Sequence, residues 1–216
     1  MGRKELIIDL EKILKNKKIK DIVNNRINEF LKTNQEDDVR WFEEIAYCIL
    51  VANTSAKSGL KCIEEMKREN IILRGNLQEI QERLRKTGHR YPQKRAEYIY
   101  KARKYVSEIK KIITKIKNNN KRREWLVKNI NGIGMKEASH FLRNVGYLDY
   151  AIIDRHIIKI LINYDLIDPT LKKKTITKKR YLKIENLLKQ IAKEMKLKPG
   201  VLDLYLWYMS TGEILK

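Results

Sequence analysis

The residues of this chain that are best suited to chemistry are a lysine and an aspartate, Lys136 and Asp154, which lie eighteen positions apart. A lysine amine is a nucleophile in its neutral form, and a carboxylate can stabilise a positive charge that develops in a reacting group. Lys136 comes two residues after the Asn-Gly-Ile-Gly segment at 131–134, which holds the only Gly-x-Gly of the sequence. The turn and the helices around it must therefore position both side chains.

The 131–134 segment separates a helical pattern that ends near Ile130 from another that begins near Met135. Because glycine tolerates positive φ and close backbone approach, we expect Gly132 and Gly134 to supply both at this turn. The second helix then directs free N–H groups over the turn, and such groups bind anions. An ordinary turn between helices would explain the same residues. In a basic chain, the expected anion is a DNA phosphate.

Lys136 is predicted to lie in the first turn of the second helix. The helix dipole disfavours a cation at that end, and the surrounding positive charge acts in the same direction. Both effects favour the neutral amine, which is the nucleophilic form. A solvated surface charge is the alternative role for this lysine.

Asp154 follows the apolar run at 151–153 and is expected to begin the next helix, where its ordinary role would be an N-cap. The helix at 135–145 rises about 16 Å, and residues 146–153 span up to about 27 Å when extended. The chain is therefore long enough to return Asp154 to the end of the helix that carries Lys136. N–H groups at a helix start would keep the carboxylate ionised. A neutral amine and a carboxylate in one cleft suit attack on a sugar C1′ that develops oxocarbenium charge.

The composition restricts the partners and the compartment. The 216 residues include 48 Lys and Arg and 27 Asp and Glu, which gives a net charge of +21. This charge indicates a polyanionic partner, and a nucleic acid is favoured over a membrane. The alternative is that the charge serves only to keep the protein soluble. A chain that is 43% hydrophobic and 35% charged, with mean hydropathy −0.55, is globular and has no membrane span. Charges at Glu5, Asp9 and Glu11 argue against a signal peptide. Two cysteines, Cys48 and Cys62, cannot build a disulfide scaffold or a four-thiolate metal or iron–sulfur site, so a reducing cytoplasm is expected.

The elements that position these residues are predicted to be helices. Apolar side chains recur at helical spacing along the chain, and one such pattern extends over residues 94–117. No strand-like alternation of apolar and polar residues persists. The three prolines, Pro92, Pro169 and Pro199, all lie between helical patterns, and Pro199 suits the first turn of the last helix. The sequence therefore predicts an all-α protein of about ten helices.

The hairpin and its surroundings resemble those of a known family. Residues 129–156, NINGIGMKEASHFLRNVGYLDYAIIDRH, are similar to the helix-hairpin-helix Gly/Pro-Asp motif of the endonuclease III superfamily of DNA glycosylases. Members with lyase activity carry a lysine directly after GxGx and an aspartate about eighteen residues on, as Lys136 and Asp154 stand here. The absence of a four-cysteine C-terminal cluster departs from endonuclease III itself. The whole chain is similar instead to the archaeal-type 8-oxoguanine DNA glycosylase/AP lyase family, the second OGG family. Residues 88–99 and 202–208 extend this similarity, which covers essentially the whole chain.

The resemblance implies an all-α, two-lobed helix-hairpin-helix DNA glycosylase fold with the active site in the cleft between the lobes. One lobe is expected at 36–149, ending in the helix-hairpin-helix, and the other joins 1–35 to 150–216. The implied activity is bifunctional. Lys136 attacks C1′ of the damaged nucleoside as a Schiff-base nucleophile, and Asp154 supports base departure and stabilises the cation. The imine then allows β-elimination, which cuts the strand 3′ of the abasic site.

The resemblance also implies residues that recognise the base. 8-Oxoguanine differs from guanine by a carbonyl at C8 and a proton on N7, and Lys216, the last residue of the sequence, offers both an ammonium and a carboxylate to these groups. Trp207 is expected to stack on the flipped purine. Tyr91 is a second stacking candidate, with core or loop packing as its alternative. Asn53 is expected to fill the gap left by the flipped base, with a helix-terminating role as its alternative.

The remaining expectations concern the partners and the absence of cofactors. Three basic residues near Tyr91 are assigned to phosphate contacts, beside the two hairpin glycines. These DNA-binding candidates are Arg90, Lys94, Arg95, Gly132 and Gly134. The three histidines share no ligand spacing, so we expect no metal and no cofactor, with His140 in a packing or surface role. The expected partner is double-stranded DNA that contains 8-oxoguanine, bound by a monomer in the cytoplasm at the nucleoid, with no membrane partner.

Two alternatives accompany this interpretation. The first is the same chemistry on another damaged base. The second is a hairpin-containing DNA-binding module without catalysis, against which the pairing of Lys136 with Asp154 argues.

Overall fold

The computed structural model describes residues 2–173 and 176–215, and these residues form helices joined by turns and loops, with no strand. This confirms the predicted all-α class. No helix in these two ranges is long and apolar enough to cross a membrane. Three short 3-10 turns lie at Arg68–Asn70, Arg103–Tyr105 and Pro169–Lys173. The α-helices are α1 (Arg3–Lys15), α2 (Lys17–Gln35), α3 (Asp38–Val51), α4 (Ala56–Lys67), α5 (Ile71–Arg74), α6 (Leu77–Lys86), α7 (Pro92–Ala102), α8 (Ile109–Lys115), α9 (Asn119–Asn129), α10 (Met135–Asn144), α11 (Arg155–Asn163), α12 (Lys178–Glu194) and α13 (Pro199–Thr211).

Two compact units divide the chain. The hairpin unit comprises Thr33–Phe141, and the terminal unit comprises Met1–Lys32 with Leu142–Lys216. The first boundary was expected at 36 and falls at 33, whereas the second was expected at 149 and falls inside α10.

The shift of the second boundary is explained by the last turn of α10. Arg143 Nη1 donates to Asp203 Oδ2 of α13 at 2.5 Å, and only 4% and 8% of these side chains are exposed. The same guanidinium lies 5.0 Å from the ring centroid of Phe30 in α2. Breaking such a buried ion pair is costly, so residues 142–149 belong with the terminal unit and not with the hairpin lobe to which the sequence assigned them.

The core of the hairpin unit is built around α3. Asp37 caps this helix by accepting the N–H of Arg40 at 2.9 Å, and every residue from 41 to 51 is buried. Trp41 donates its indole N–H to the Thr33 carbonyl at 2.9 Å. Cys48 lies in the same helix and is fully buried. A helix that is apolar on most sides is stable only when it is surrounded by other elements.

The apolar pattern at 94–117 does not form one continuous helix. The structure ends α7 at Ala102, inserts a 3-10 turn and begins α8 at Ile109. Arg103 explains the break, because its guanidinium donates to the carbonyl oxygens of Ile71, Ile72 and Gly75 at 2.6, 2.9 and 2.5 Å. These acceptors lie in and just after α5. The Ile71 carbonyl also accepts the Gly75 N–H at 3.0 Å, and a helix of four residues leaves its later carbonyls to partners outside it.

The terminal unit is organised by α13, which packs against α1, α11 and α12. Pro199 occupies the first helical position, as predicted, and Gly212 ends the helix with φ +73°. Leu202, Leu204 and Leu206 are buried along it. This helix carries the predicted base-stacking residue, and α11 begins directly after the predicted catalytic aspartate.

Candidate active site

The turn between α9 and α10 is shaped by its two glycines in different ways. Gly132 has φ +84°, and a Cβ atom at this position would lie 2.3 Å from Cδ2 of Tyr98 in α7. The backbone of the turn therefore packs directly on the tyrosine ring. Gly134 does not adopt positive φ, contrary to the expectation for both glycines. Its N–H donates to Oε2 of Glu137 at 3.2 Å.

Lys136 is the second residue of α10, as predicted, but its amine has a partner that the sequence did not suggest. Nζ lies 3.1 Å from Oε1 of Glu137, and 27% and 15% of the two side chains are exposed. Ala138 donates its N–H to the Gly134 carbonyl at 2.9 Å, which makes Gly134 the N-cap and Glu137 the third helical residue. The Gly134 N–H, expected to be free for an anion, is thus used internally.

Asp154 caps the N-terminus of α11, and the capping role considered from the sequence is confirmed. Its Oδ1 accepts the backbone N–H groups of His156 and Ile157 at 2.8 and 2.9 Å. The approach to the cap is fixed by Tyr181, whose hydroxyl donates to the Ala151 carbonyl at 2.9 Å. Asp154 is half-buried and belongs to the terminal unit, whereas Lys136 belongs to the hairpin unit.

A second carboxylate lies near Asp154, at Asp203 of α13. The pKa of Asp203 is raised to about 7, mainly because the carboxyl is buried. The nearby Asp154 carboxylate also raises this pKa, and the Arg143 guanidinium partly offsets both effects. A hydrogen bond from the backbone of Ile152, two residues before Asp154, favours the ionised form of Asp203. No sequence pattern indicates the ion pair between Arg143 and Asp203, because its members are sixty positions apart.

Trp207, the predicted stacking residue, lies beside the segment that Asp154 begins. Its ring centroid is 4.7 Å from that of His156, with a tilt of 60° between the planes. His156 Nδ1 is 3.0 Å from the Ser210 hydroxyl, one turn along α13. The indole Nε1–H of Trp207 is buried and has no hydrogen-bond partner in the described part of the protein. The terminal unit therefore brings Trp207 and Asp154 into one neighbourhood.

Asn53 follows the last residues of α3 in a left-handed conformation, with φ +62° and an exposed side chain. The carbonyls that precede it are held by hydrogen bonds. Thr54 donates its hydroxyl to the Leu50 carbonyl at 2.6 Å and its N–H to the Val51 carbonyl at 3.2 Å. A backbone fixed in this way presents the exposed Asn53 side chain in one direction.

Two buried side chains from the 89–95 region complete the support of this turn. His89 Nε2 donates to the Leu50 carbonyl at 3.0 Å while its Nδ1 accepts the Tyr91 N–H at 3.1 Å. Burial lowers the pKa of His89, so the ring is held in its neutral form. Arg95 donates Nη2 to the Ala52 carbonyl at 2.7 Å, and burial lowers its pKa as well. Arg95 therefore supports the turn from inside the unit, which corrects its assignment as a phosphate contact.

The other residues of the 90–94 region point outward. Tyr91 precedes α7 and is 38% exposed, with the Arg90 guanidinium 5.1 Å from its ring centroid. This exposure argues against the core-packing alternative for Tyr91. Lys94 is exposed, lies 3.3 Å from Glu97 and 5.4 Å from the Tyr98 ring centroid. Arg90 and Lys94 are thus accessible, unlike Arg95.

Some sequence predictions fall outside this geometry. Lys216 lies outside the described residues. His140 is buried and packs edge-on against Tyr47, with ring centroids 5.6 Å apart, as a packing role requires. Within residues 2–173 and 176–215, no group of three or more His, Cys, Asp or Glu side chains could hold a metal ion. The main residue that the sequence reasoning missed is Glu137, whose signal was an acid at the third position of a helix.

The family model of 8-oxoguanine DNA glycosylases matches residues 23–197 of this chain. The chain is 47% identical over 203 residues to an 8-oxoguanine DNA glycosylase/AP lyase of Methanocaldococcus jannaschii, covering 94% of this chain and 96% of that protein. It is 40% identical to the protein of the same name from Korarchaeum cryptofilum, over the full length of both.

Solved structures give the same result. The Methanocaldococcus jannaschii 8-oxoguanine glycosylase/lyase in complex with a 15mer DNA containing 8-oxoguanine is similar with a TM-score of 0.92 and 46% identity, over 98% of this chain and 100% of that one. The 8-oxoguanine DNA glycosylase of Thermotoga maritima is similar with a TM-score of 0.90 and 39% identity, over 100% of both chains.

Proposed function

The chain belongs to the 8-oxoguanine DNA glycosylase family, and from that premise we propose that it excises 8-oxoguanine from DNA and cleaves the strand at the abasic site. The observation that carries this proposal is the match to named 8-oxoguanine DNA glycosylase/AP lyases over almost the entire length of both chains. The helix-hairpin-helix with Lys136 at its second helix supports it from the chain itself.

Lys136 is the proposed nucleophile. Its Nζ attacks C1′ of the damaged nucleoside, the bond from C1′ to the base breaks, and the base leaves with the electron pair. Nζ then loses a proton, its lone pair forms the protonated imine as the C1′–O4′ bond breaks, and O4′ takes a proton. The imine acidifies C2′, and loss of the C2′ proton expels the 3′ phosphate, so that β-elimination cuts the strand 3′ of the lesion. The amine is well placed for this role because it stands on a helix start that a rigid turn holds against Tyr98.

Asp154 is the proposed electrostatic partner of the reacting sugar. Its carboxylate is held by two backbone N–H groups on Oδ1, which fixes its position at the start of α11. A fixed negative charge beside C1′ stabilises the oxocarbenium character that develops as the base departs. The role therefore needs no change in the capping contacts that the structure contains.

Recognition of the lesion is assigned to residues of both units. Trp207 is proposed to contact the flipped base, and its indole N–H, which is buried and has no hydrogen-bond partner among the described residues, is a donor at the edge of the ring. Tyr91, exposed before α7, is the second stacking candidate. Lys216 stays a proposed reader of the oxidised base. Asn53 is exposed on a turn whose carbonyls are held by hydrogen bonds, and it is proposed to fill the gap that the flipped base leaves in the duplex.

The grip on DNA is proposed to come from exposed cations and from the hairpin backbone. Arg90 and Lys94 are exposed and suit phosphate contacts. Gly132 and Gly134 stay proposed DNA contacts through the main chain of the turn. The net charge of +21 favours association with DNA throughout. The proposed working form is a monomer in the cytoplasm, at the nucleoid.

A strand-cleavage assay tests the proposal. A labelled duplex with one 8-oxoguanine and an undamaged duplex of the same sequence are incubated with wild type and with Lys136→Gln under single turnover. Wild type is expected to cut the damaged strand alone, and Lys136→Gln to leave it intact. Lys61→Gln, which removes an exposed lysine of α4, serves as the charge-matched control and keeps full cleavage.

Two results would redirect the proposal. Cleavage of duplexes with another oxidised base, but not of the 8-oxoguanine duplex, would support the same chemistry on a different lesion. Binding of the damaged duplex without any cleavage, at any enzyme concentration, would indicate a DNA-binding module and overturn the catalytic assignment.

A further inference from the structure

Glu137 is an ionisable group at the amine of Lys136 that the helix-hairpin-helix motif does not account for. Its carboxylate uses both oxygens, with Oε1 3.1 Å from Lys136 Nζ and Oε2 accepting the Gly134 N–H at 3.2 Å. Adjacent residues of a helix do not normally face each other. This pair meets because the carboxylate folds back over the helix N-terminus, as the third-position acid of a capping box does.

The position of this carboxylate is fixed by the turn. Gly134 is the N-cap and has no side chain that could bind the N–H groups of the helix start. The side-chain hydrogen bond between these two residues therefore comes from the Glu137 carboxylate, which accepts the Gly134 N–H. Gly132 holds the turn against Tyr98 with no room for a further atom. The Glu137 carboxylate is therefore anchored to backbone that cannot shift easily, and it presents Oε1 to the amine.

The charges around Glu137 come from two elements. On its own helix the neighbour is the Lys136 ammonium. On α7 the neighbour is the buried Arg95 guanidinium. Burial lowers the pKa of Arg95, and the Glu137 charge partly offsets this by raising it. Tyr98 lies beside the same guanidinium. With only 15% of its side chain exposed, Glu137 interacts with these cations in a partly dehydrated environment.

We propose that Glu137 is the proton acceptor that converts the Lys136 ammonium into the attacking amine. The inference rests on the proposed function, since it assigns a further catalytic residue to the same nucleophile. An ammonium has no lone pair, so one proton must leave Nζ before it can form a bond to C1′. The carboxylate at 3.1 Å is within reach of that proton without any rearrangement.

The proton and electron balance of the step is complete. Glu137 takes one proton from Nζ and becomes neutral, and Nζ keeps the lone pair. That pair forms the bond from Nζ to C1′ as the bond from C1′ to the base breaks, and its electron pair leaves with the base, which takes a proton from water. Glu137 returns its proton to water before the next turnover. No oxidant, reductant or metal is needed.

The test compares the single-turnover excision rates of Glu137→Gln and wild type on the 8-oxoguanine duplex at about pH 6 to 8. The rate is measured across this range because a general base changes the pH dependence of the rate. The amide keeps an acceptor for the Gly134 N–H and loses the base. We expect the rate to fall about 100-fold at neutral pH. Glu82→Gln, an exposed acid of α6, is the charge-matched control and keeps the wild-type rate.

The pH profile separates a base from a cap. In wild type, proton transfer from Lys136 to Glu137 changes no net protonation, so the excision rate is expected to be nearly independent of pH over about pH 6 to 8. In Glu137→Gln the proton must go to solvent, so the excision rate is expected to rise about tenfold per pH unit over the same range. Glu137→Ala, which also loses the cap contact, should show the same steep profile together with a lower unfolding midpoint.

The outcomes are distinct. A Glu137→Gln variant that is as fast as wild type, or faster, with an unchanged pH profile would overturn the proton-acceptor role and leave Glu137 as a cap. In that case wild type still cleaves the damaged duplex, so the proposed function stands. Failure of the proposed function is seen separately, as wild type that does not cleave the 8-oxoguanine duplex at all.

Discussion

Replacing Gly132 by alanine tests how the turn beneath Lys136 is held. At φ +84° a residue with a Cβ atom costs about 1–2 kcal/mol of left-handed strain. The new Cβ would also meet Tyr98 Cδ2 at 2.3 Å and Cε2 at 2.9 Å, far inside normal contact distance. Overpacking of this kind typically costs about 1–3 kcal/mol. The two effects together predict a loss of about 2–5 kcal/mol in the free energy of unfolding.

Gly134→Ala is the matched control two residues away. Gly134 does not adopt positive φ, and its Cβ would meet Oε2 of Glu137 at 3.1 Å, a contact that a shift of a few tenths of an ångström relieves. We expect this variant to lose less than about 1 kcal/mol. Combining Gly132→Ala with Tyr98→Ala should recover the packing part of the cost, because the clash is removed while the strain at φ remains.

Urea unfolding followed by circular dichroism at 222 nm measures these differences. Binding to a duplex that carries an uncleavable abasic-site analogue is measured in parallel, and it should weaken in Gly132→Ala more than the loss of folded protein explains. A Gly132→Ala variant with wild-type stability and wild-type DNA affinity would refute the reasoning, since neither the strain nor the clash would then exist in the folded protein.

Three further predictions concern Asp154, His89 and Lys216. Asp154→Asn keeps a good N-cap but loses the charge, so single-turnover excision should fall about 100-fold or more while stability changes by less than about 1 kcal/mol; equal activity would exclude an electrostatic role. Burial lowers the pKa of His89 in the folded state, so its contribution to stability is present above its unfolded pKa and is lost as the pH falls. Unfolding free energies at about pH 7.5 and 5.5 should therefore differ more in wild type than in His89→Asn, and equal differences would contradict the neutral, buried histidine. Lys216→Ala should lose about tenfold or more in excision of 8-oxoguanine, the scale of one lost charge-assisted contact, with cleavage of a pre-formed abasic site largely kept; equal loss of both activities would contradict a role in reading the base.

The features that the sequence predicted correctly are those that depend on neighbouring residues. Pro199 begins a helix because its missing N–H costs nothing there, and Asp154 caps α11 because its carboxylate reaches N–H groups two and three residues on. The turn between α9 and α10 was located by its glycines. Each of these signals is local, and the structure contains all of them.

The features that the sequence could not predict depend on long-range contacts. Arg95 looked like a surface cation beside Lys94, but its guanidinium reaches the carbonyl of Ala52, forty-three positions away. Arg103 breaks the apolar pattern at 94–117 because it satisfies the end of α5. Glu137 was a local signal that was overlooked, because a helix-start acid is common and only the geometry shows that it reaches Lys136.

The most direct test of the central claim is the identity of the residue that becomes linked to DNA. Wild type is incubated with the 8-oxoguanine duplex and sodium borohydride, and the trapped adduct is digested and sequenced by mass spectrometry. Among the 48 basic residues, the modification is predicted to lie on Lys136 alone, and Lys136→Gln is predicted to form no adduct. An adduct on another lysine, or none with wild type under conditions in which the damaged strand is cut, would contradict the account.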